Sequence, residues 1–110
     1  MSDVNQKMPE FALPNQDNEI CKLDSYSGNW LVLFFYSKDG TSACTQEVQD
    51  FNALVNDFQK LTANIAGVSG DSARTHKNFS EKHGVRYSLL SDKDRAYIDS
   101  LGLLIDKKMY

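Results

Sequence analysis

Cys44 is the residue of this 110-residue chain best placed to do chemistry. It opens a stretch in which Val48, Phe51, Leu54, Val55, Phe58 and Leu61 step by three or four residues, the spacing of an amphipathic helix with one apolar stripe. A thiol in the first turn of a helix is either an inert packing residue or a nucleophile, and its ionisation decides which. A free thiol titrating near 8.5 is only ~3% thiolate at pH 7. Making it mostly ionised takes a drop of ~2 units, about 3 kcal/mol of preferential stabilisation of the anion. The partial positive charge of a helix start supplies ~0.3–2 kcal/mol. A second donor, cationic or hydrogen-bonding, is therefore needed beside Cys44.

The other reactive residue types give weaker signals. Cys21 lies too far from Cys44 in sequence for a CxxC pair, and two cysteines are too few for a disulfide scaffold. Glu47 suits the first turn of a helix as a carboxylate, with no further role required. His76 and His83 are seven apart, not the four of a metal-binding pair, and read as surface histidines. Gly67 and Gly70 lack the spacing of a dinucleotide-binding loop. Trp30, Phe34, Phe35 and Tyr36 read as core and site wall, and Asp92, Lys93, Asp94 and Arg95 as a cap and solvated first turn. No metal or cofactor is expected.

Alternating elements must position Cys44. Phe11 to Leu13 and Ile20 to Leu23, separated by Asn15, Gln16, Asp17 and Asn18, suggest a hairpin with a turn that tolerates left-handed backbone. After Ser27-Gly28-Asn29, the run Trp30 to Tyr36 suits a strand covered on both faces. Ser37 to Ala43 is a loop, and the helix begins at Cys44 and runs through Leu61. Ile65 to Ser69 is a second strand. A helix capped by Asp71 or Ser72 then runs to about His83 and ends at Gly84. Tyr87 to Leu90 is a third strand, and a helix capped by Ser91 or Asp92 runs through Leu101 and stops at Gly102. Strands alternating with helices imply an α/β layer fold with right-handed crossovers. In such folds, the loop leaving the end of a buried strand is where reacting groups collect.

Composition sets bounds on the alternatives. Apolar residues make up 41%, enough for a packed core, in one domain over residues 1–110. Twelve Lys/Arg against fifteen Asp/Glu leave a net charge of −3, so no basic footprint points to nucleic acid or an anionic membrane. The longest apolar run is too short to span a bilayer, and the first ten residues lack the apolar stretch of a secretory signal. A cytoplasmic protein is expected.

The segment Ser37-Lys38-Asp39-Gly40-Thr41-Ser42-Ala43-Cys44-Thr45-Gln46-Glu47, following Trp30 to Tyr36, resembles the active-site segment of peroxiredoxins of the bacterioferritin comigratory protein (PrxQ) subfamily. Met8 to Pro14 is similar to that family's opening strand, Gly67 to Ser72 to its next strand and helix start, and Tyr87 to Asp92 to the segment after that. The resemblance implies a thioredoxin-like fold, with an N-terminal hairpin and a mostly parallel sheet flanked by helices. It implies a thiol peroxidase in which the Cys44 thiolate attacks a hydroperoxide and becomes sulfenic acid. It further implies that the Thr41 hydroxyl and the N–H groups of Ala43 and Cys44 meet thiolate and peroxide, and that Glu47 helps hold an active-site arginine. Thioredoxin or a small thiol would be the reductant, and the protein a monomer or weak homodimer.

Three positions depart from the family pattern. Ser37 stands where the family has a shielding proline, which predicts a wetter thiolate. Gln49 stands where many members carry a resolving cysteine, so a one-cysteine cycle with an external thiol is expected, Cys21 being the only other candidate resolver. The family's arginine lies beyond the stretch resembling Ser100 to Tyr110, and Arg74, Arg86 and Arg95 align elsewhere. The chain is thus expected to lack the C-terminal strands and helix of the fold, roughly forty residues on typical domain sizes. The competing reading is a catalytically impaired thioredoxin-fold module for binding or redox sensing, whose open sheet edge pairs with another chain.

Overall fold

The structure is a computed structural model and describes residues 10–26 and 28–101. The expectations for Met8-Pro9, Ser27, the Gly102 helix stop and the stretch to Tyr110 lie outside the described residues. Strand β1 (Ala12–Pro14) pairs antiparallel with β2 (Ile20–Lys22), Leu13 facing Cys21. The turn between them is built by Asn15, whose side-chain oxygen accepts from the N–H groups of Asp17 and Glu19. Asn18 takes the left-handed conformation at φ 61°, as the Asn/Asp composition predicts. A 3₁₀ turn, Leu23–Tyr26, leads into β3 (Trp30–Phe35).

Strands β3, β4 (Ala63–Ser69) and β5 (Ser88–Ser91) form a parallel sheet in the order β3-β4-β5. The expected α/β architecture is present. Strand β3 does pack on both faces, Phe34 in one core and Leu31, Leu33 and Phe35 against the other, but it is an edge strand among the described residues, and the middle strand is β4. The seven residues of β4 are short, branched or buried, and alternate between two cores. Ile65 joins Phe34, Tyr36, Val48, Val55, Phe79, Tyr87 and Leu89 on one face. Ala66 and Val68 join Phe11, Leu90, Tyr97 and Ile98 on the other. Trp30, expected in the core, is the first residue of the edge strand β3 and has 76% of its surface exposed.

The single helix expected from Cys44 to Leu61 is two. Helix α1 (Ser42–Ala53) and helix α2 (Val55–Lys60) break at Leu54, which leaves the helical basin at φ −100°, ψ 4°. The Arg86 guanidinium donates to the Asn52 carbonyl at 2.7 Å, the acceptor a continuous helix would offer to residue 56. Leu54 and Leu61, read as part of the buried stripe, are exposed in consequence. Helix α3 (Ala73–His83) follows the sequence closely: the Ser72 hydroxyl accepts from the Thr75 N–H, and Gly84 ends the helix at φ 63°. The last helix is shorter than expected. Lys93–Arg95 form a 3₁₀ turn in which Asp94 and Arg95 are left-handed, and α4 (Ala96–Ser100) follows. Asp92 caps α4 by accepting from the N–H groups of Tyr97 and Ile98, both at 2.9 Å, and is itself buried. Among the described residues no helix is long and apolar enough to cross a membrane.

Candidate active site

Parallel pairing brings the carboxyl ends of β3 and β4 side by side, with Tyr36 N–H bonded to the Val68 carbonyl. The loop 37–41 leaves that end and turns into α1. Cys44 is the third residue of α1. Thr41 is the N-cap: its hydroxyl accepts from the Cys44 N–H at 3.4 Å, and its carbonyl accepts from the Thr45 N–H at 2.8 Å. The helix is anchored from below, the Tyr87 hydroxyl donating to the Val48 carbonyl at 2.7 Å.

Cys44 is half-buried against the core of Phe34, Tyr36 and Val48. Ser37 Oγ lies 3.2 Å from its sulfur. Burial pushes the thiol up, but hydrogen bonds from the Ser37 and Thr41 hydroxyls and from the backbone of Lys38 and Ser37 outweigh it, so the thiol titrates below its ordinary value. The second donor demanded by the energetics is therefore a set of hydroxyls and amides, with no cation among them. Ser37 is exposed, as its expected wetness requires. It does not merely leave the sulfur unshielded, since its hydroxyl faces the sulfur directly.

Thr41 and Cys44 are thus brought together as expected, and Glu47 is not. Glu47 projects from the exposed side of α1 into a shallow groove with Gln46, Asp50 and Phe51. Partial burial, and then the neighbouring Asp50 charge, raise its carboxyl above the ordinary glutamate value. Among the described residues it makes no ion pair. Arg86, from the β5 side, is spent on Asn52. Gln49, in place of the resolving cysteine, sits 3.1 Å from His83 Nδ1. Cys21 packs with Leu13, Leu23 and Tyr26 in the core on the opposite face of the sheet from Cys44, and both cysteines are free.

The sequence reading missed the residues behind the loop. His76, expected at the surface, has no exposed surface at all. Its Nδ1 lies 2.6 Å from Asp39 Oδ2, because the apolar side of α3, marked by Phe79, turns position 76 inward as well. The spacing of His76 three residues before Phe79 is the signal that could have placed it there. Asp39, Asp71 and His76 offer ligand atoms within 4.8 Å of one another, but these atoms are bonded among themselves and to Ser69 and Tyr36.

The sequence matches the AhpC/TSA family over residues 4–110. The chain belongs to that family. Among curated relatives of this AhpC/TSA chain, peroxiredoxin Bcp of Xanthomonas campestris is 46% identical over 88 residues, covering 80% of the chain and 55% of the relative. Peroxiredoxin Bcp of Bacillus subtilis is 37% identical over 108 residues, covering 98% and 69%. In structure, the chain is similar to the Xanthomonas campestris bacterioferritin comigratory protein, described for its alkyl peroxide reduction. The TM-score there is 0.85 at 38% identity, over 91% of this chain and 66% of that one. The chain thus spans between about half and seven-tenths of the length of these relatives. The expected thioredoxin-like peroxiredoxin fold and the bacterioferritin comigratory protein resemblance both hold.

Proposed function

We propose that residues 1–110 form a single thioredoxin-like domain of a thiol peroxidase, with Cys44 as nucleophile and Thr41 beside it. The observation that carries this reading is the cluster of donors around the Cys44 sulfur at the start of α1, with Ser37 Oγ at 3.2 Å and the Thr41 cap on the same turn. These groups favour the thiolate, and only the thiolate attacks a peroxide. The sulfur takes the terminal oxygen of the hydroperoxide, the O–O bond breaks, and the alkoxide or hydroxide leaves and is protonated. Cys44 becomes sulfenic acid. An external thiol then condenses with it, releasing water, and a second thiol reduces the mixed disulfide.

The opposite-face packing of Cys21 supports an external reductant, thioredoxin or a small thiol, over an internal resolver. Glu47 enters this reading only as a carboxylate at the rim of α1, with the arginine partner expected for it absent among the described residues. Two free thiols suit a reducing compartment such as the cytoplasm. The test is one equivalent of hydrogen peroxide followed by a sulfenic-acid trap and mass spectrometry. Label on Cys44 is expected, and its absence from an otherwise folded protein would overturn the reading.

A second reading, the binding module, draws on β3, which has one strand neighbour among the described residues and carries the exposed Trp30. An unpaired strand edge is a template for another chain. It predicts association that rises with concentration in sedimentation, whereas a monomer at high concentration counts against it.

A further inference from the structure

Loop 37–41 has little to hold it. Ser37, Lys38, Gly40 and Thr41 are all exposed, and Asp39 alone is drawn inward. Asp39 is also fixed at three atoms. Its Oδ2 meets His76 Nδ1 at 2.6 Å, its Oδ1 accepts from the Tyr36 hydroxyl at 2.6 Å, and its backbone N–H donates to Asp71 Oδ2 at 2.8 Å. Those three partners come from the end of β3, from α3 and from the turn after β4.

The His76 ring is fixed as well. Its Nε2 faces the Leu90 carbonyl at 3.1 Å, while Ser69 Oγ, 3.5 Å away, donates its proton to Asp71 Oδ2 at 2.7 Å. Both ring nitrogens therefore point at acceptors, and the ring cannot turn without losing one of them. The pair is buried, with side-chain exposures of 0% and 3%, so water does not compete for it and losing either partner strands the other.

Ser37 and Lys38, immediately before Asp39, are the residues whose hydroxyl and backbone surround the Cys44 sulfur. Thr41 Oγ1 also lies 3.4 Å from the Lys38 carbonyl oxygen, and the one proton of that hydroxyl is shared between the carbonyl and the sulfur. We propose that the Asp39–His76 pair is a latch that positions loop 37–41, so that its donors converge on the Cys44 sulfur. This rests on the reading of Cys44 as the nucleophile. Neither Asp39 nor His76 touches the sulfur, so both are positioning residues, and His76 acts across the sheet end through Asp39.

The test uses the full chain with Cys21→Ser, so that alkylation by iodoacetamide reports Cys44 alone, followed across pH. Asp39→Ala and His76→Asn are each expected to raise the midpoint of Cys44 alkylation by about one pH unit, with about tenfold slower alkylation at neutral pH. Because the two act through one contact, the double variant is expected to be no worse than Asp39→Ala. A pair that only supports the fold would lower the melting temperature and leave the midpoint in place. The latch is overturned if folded Asp39→Ala keeps the parent midpoint and rate, or if the two effects add. Should His76→Asn fail to fold, Asp39→Ala decides the matter. Failure of the nucleophile reading shows separately, as a parent protein with a low alkylation midpoint that forms no sulfenic acid with peroxide.

Discussion

The Ser37 hydroxyl stands 3.2 Å from the Cys44 sulfur, at the loop position where the resembling family carries proline. A group that cannot donate has been exchanged for one that can. The thiol is held below its ordinary value, so its thiolate is present at lower pH than for a free cysteine. Removing a donor to the anion must raise the midpoint. Ser37→Ala is therefore expected to shift Cys44 alkylation upward by up to about one pH unit. The deficit should be largest at neutral pH and vanish in alkali, where both proteins are ionised. A pH profile of iodoacetamide alkylation measures it.

Thr41 serves the helix and the thiol with one oxygen, which accepts from the Cys44 N–H and lowers the thiol. Thr41→Val removes both at nearly constant volume. At 3.4 Å the cap bond is long, so the stability loss should fall at the low end of the range for caps, about 0.5–1 kcal/mol in urea denaturation. The alkylation midpoint should rise as well. Thr41→Ser, which keeps the oxygen, should recover both.

Where local rules decide the backbone, the structure is legible from residues. Ser72 and Gly84 bracket α3 because an N-cap hydroxyl and a left-handed C-terminal glycine act within one turn. Cys44 was legible because the apolar spacing that follows it marks a helix start, but α1 begins two residues earlier, at Ser42, and Thr41, its N-cap, was implied by the family resemblance alone. What failed depends on contacts remote in sequence. The break at Leu54 follows from Arg86 taking the Asn52 carbonyl, 34 residues away. Trp30 is exposed at the start of β3, an edge strand among the described residues, and the partner that the buried His76 meets is Asp39, 37 residues before it. Glu47 shows the limit of motif transfer, because a position can match a family carboxylate while its partner is not among the described residues.

The hairpin places Cys21 in one core and Cys44 edges the other, with the sheet between them. An intramolecular disulfide needs Cα atoms within about 7 Å, and the two thiols pack against different cores on opposite faces of the sheet. Cys21→Ser is therefore expected to leave peroxide consumption with an external thiol within about twofold of wild type, since an external thiol completes the cycle without Cys21. Non-reducing mass spectrometry of the peroxide-treated chain should find no Cys21–Cys44 crosslink. Its appearance at stoichiometric yield would restore Cys21 as a resolver.

Gly67 lies in the middle of β4, where a Cβ would stand 2.8 Å from Phe34 Cζ and 3.2 Å from Leu89 Cδ2. The Phe34 ring cannot simply retreat. It stacks on Phe51 of α1 at 4.3 Å between ring centroids and meets the edge of Tyr87, whose hydroxyl holds α1 through Val48. Overpacking here therefore pushes on the helix that carries Cys44. Gly67→Ala is expected to cost about 1–3 kcal/mol in urea denaturation. At Gly70, just past the same strand, the nearest atom to an added Cβ is 3.5 Å away, an ordinary contact. Gly70→Ala should accordingly stay within about 0.5 kcal/mol of wild type. Equal losses at the two sites would mean that the approach of Phe34 does not set the requirement for glycine at position 67.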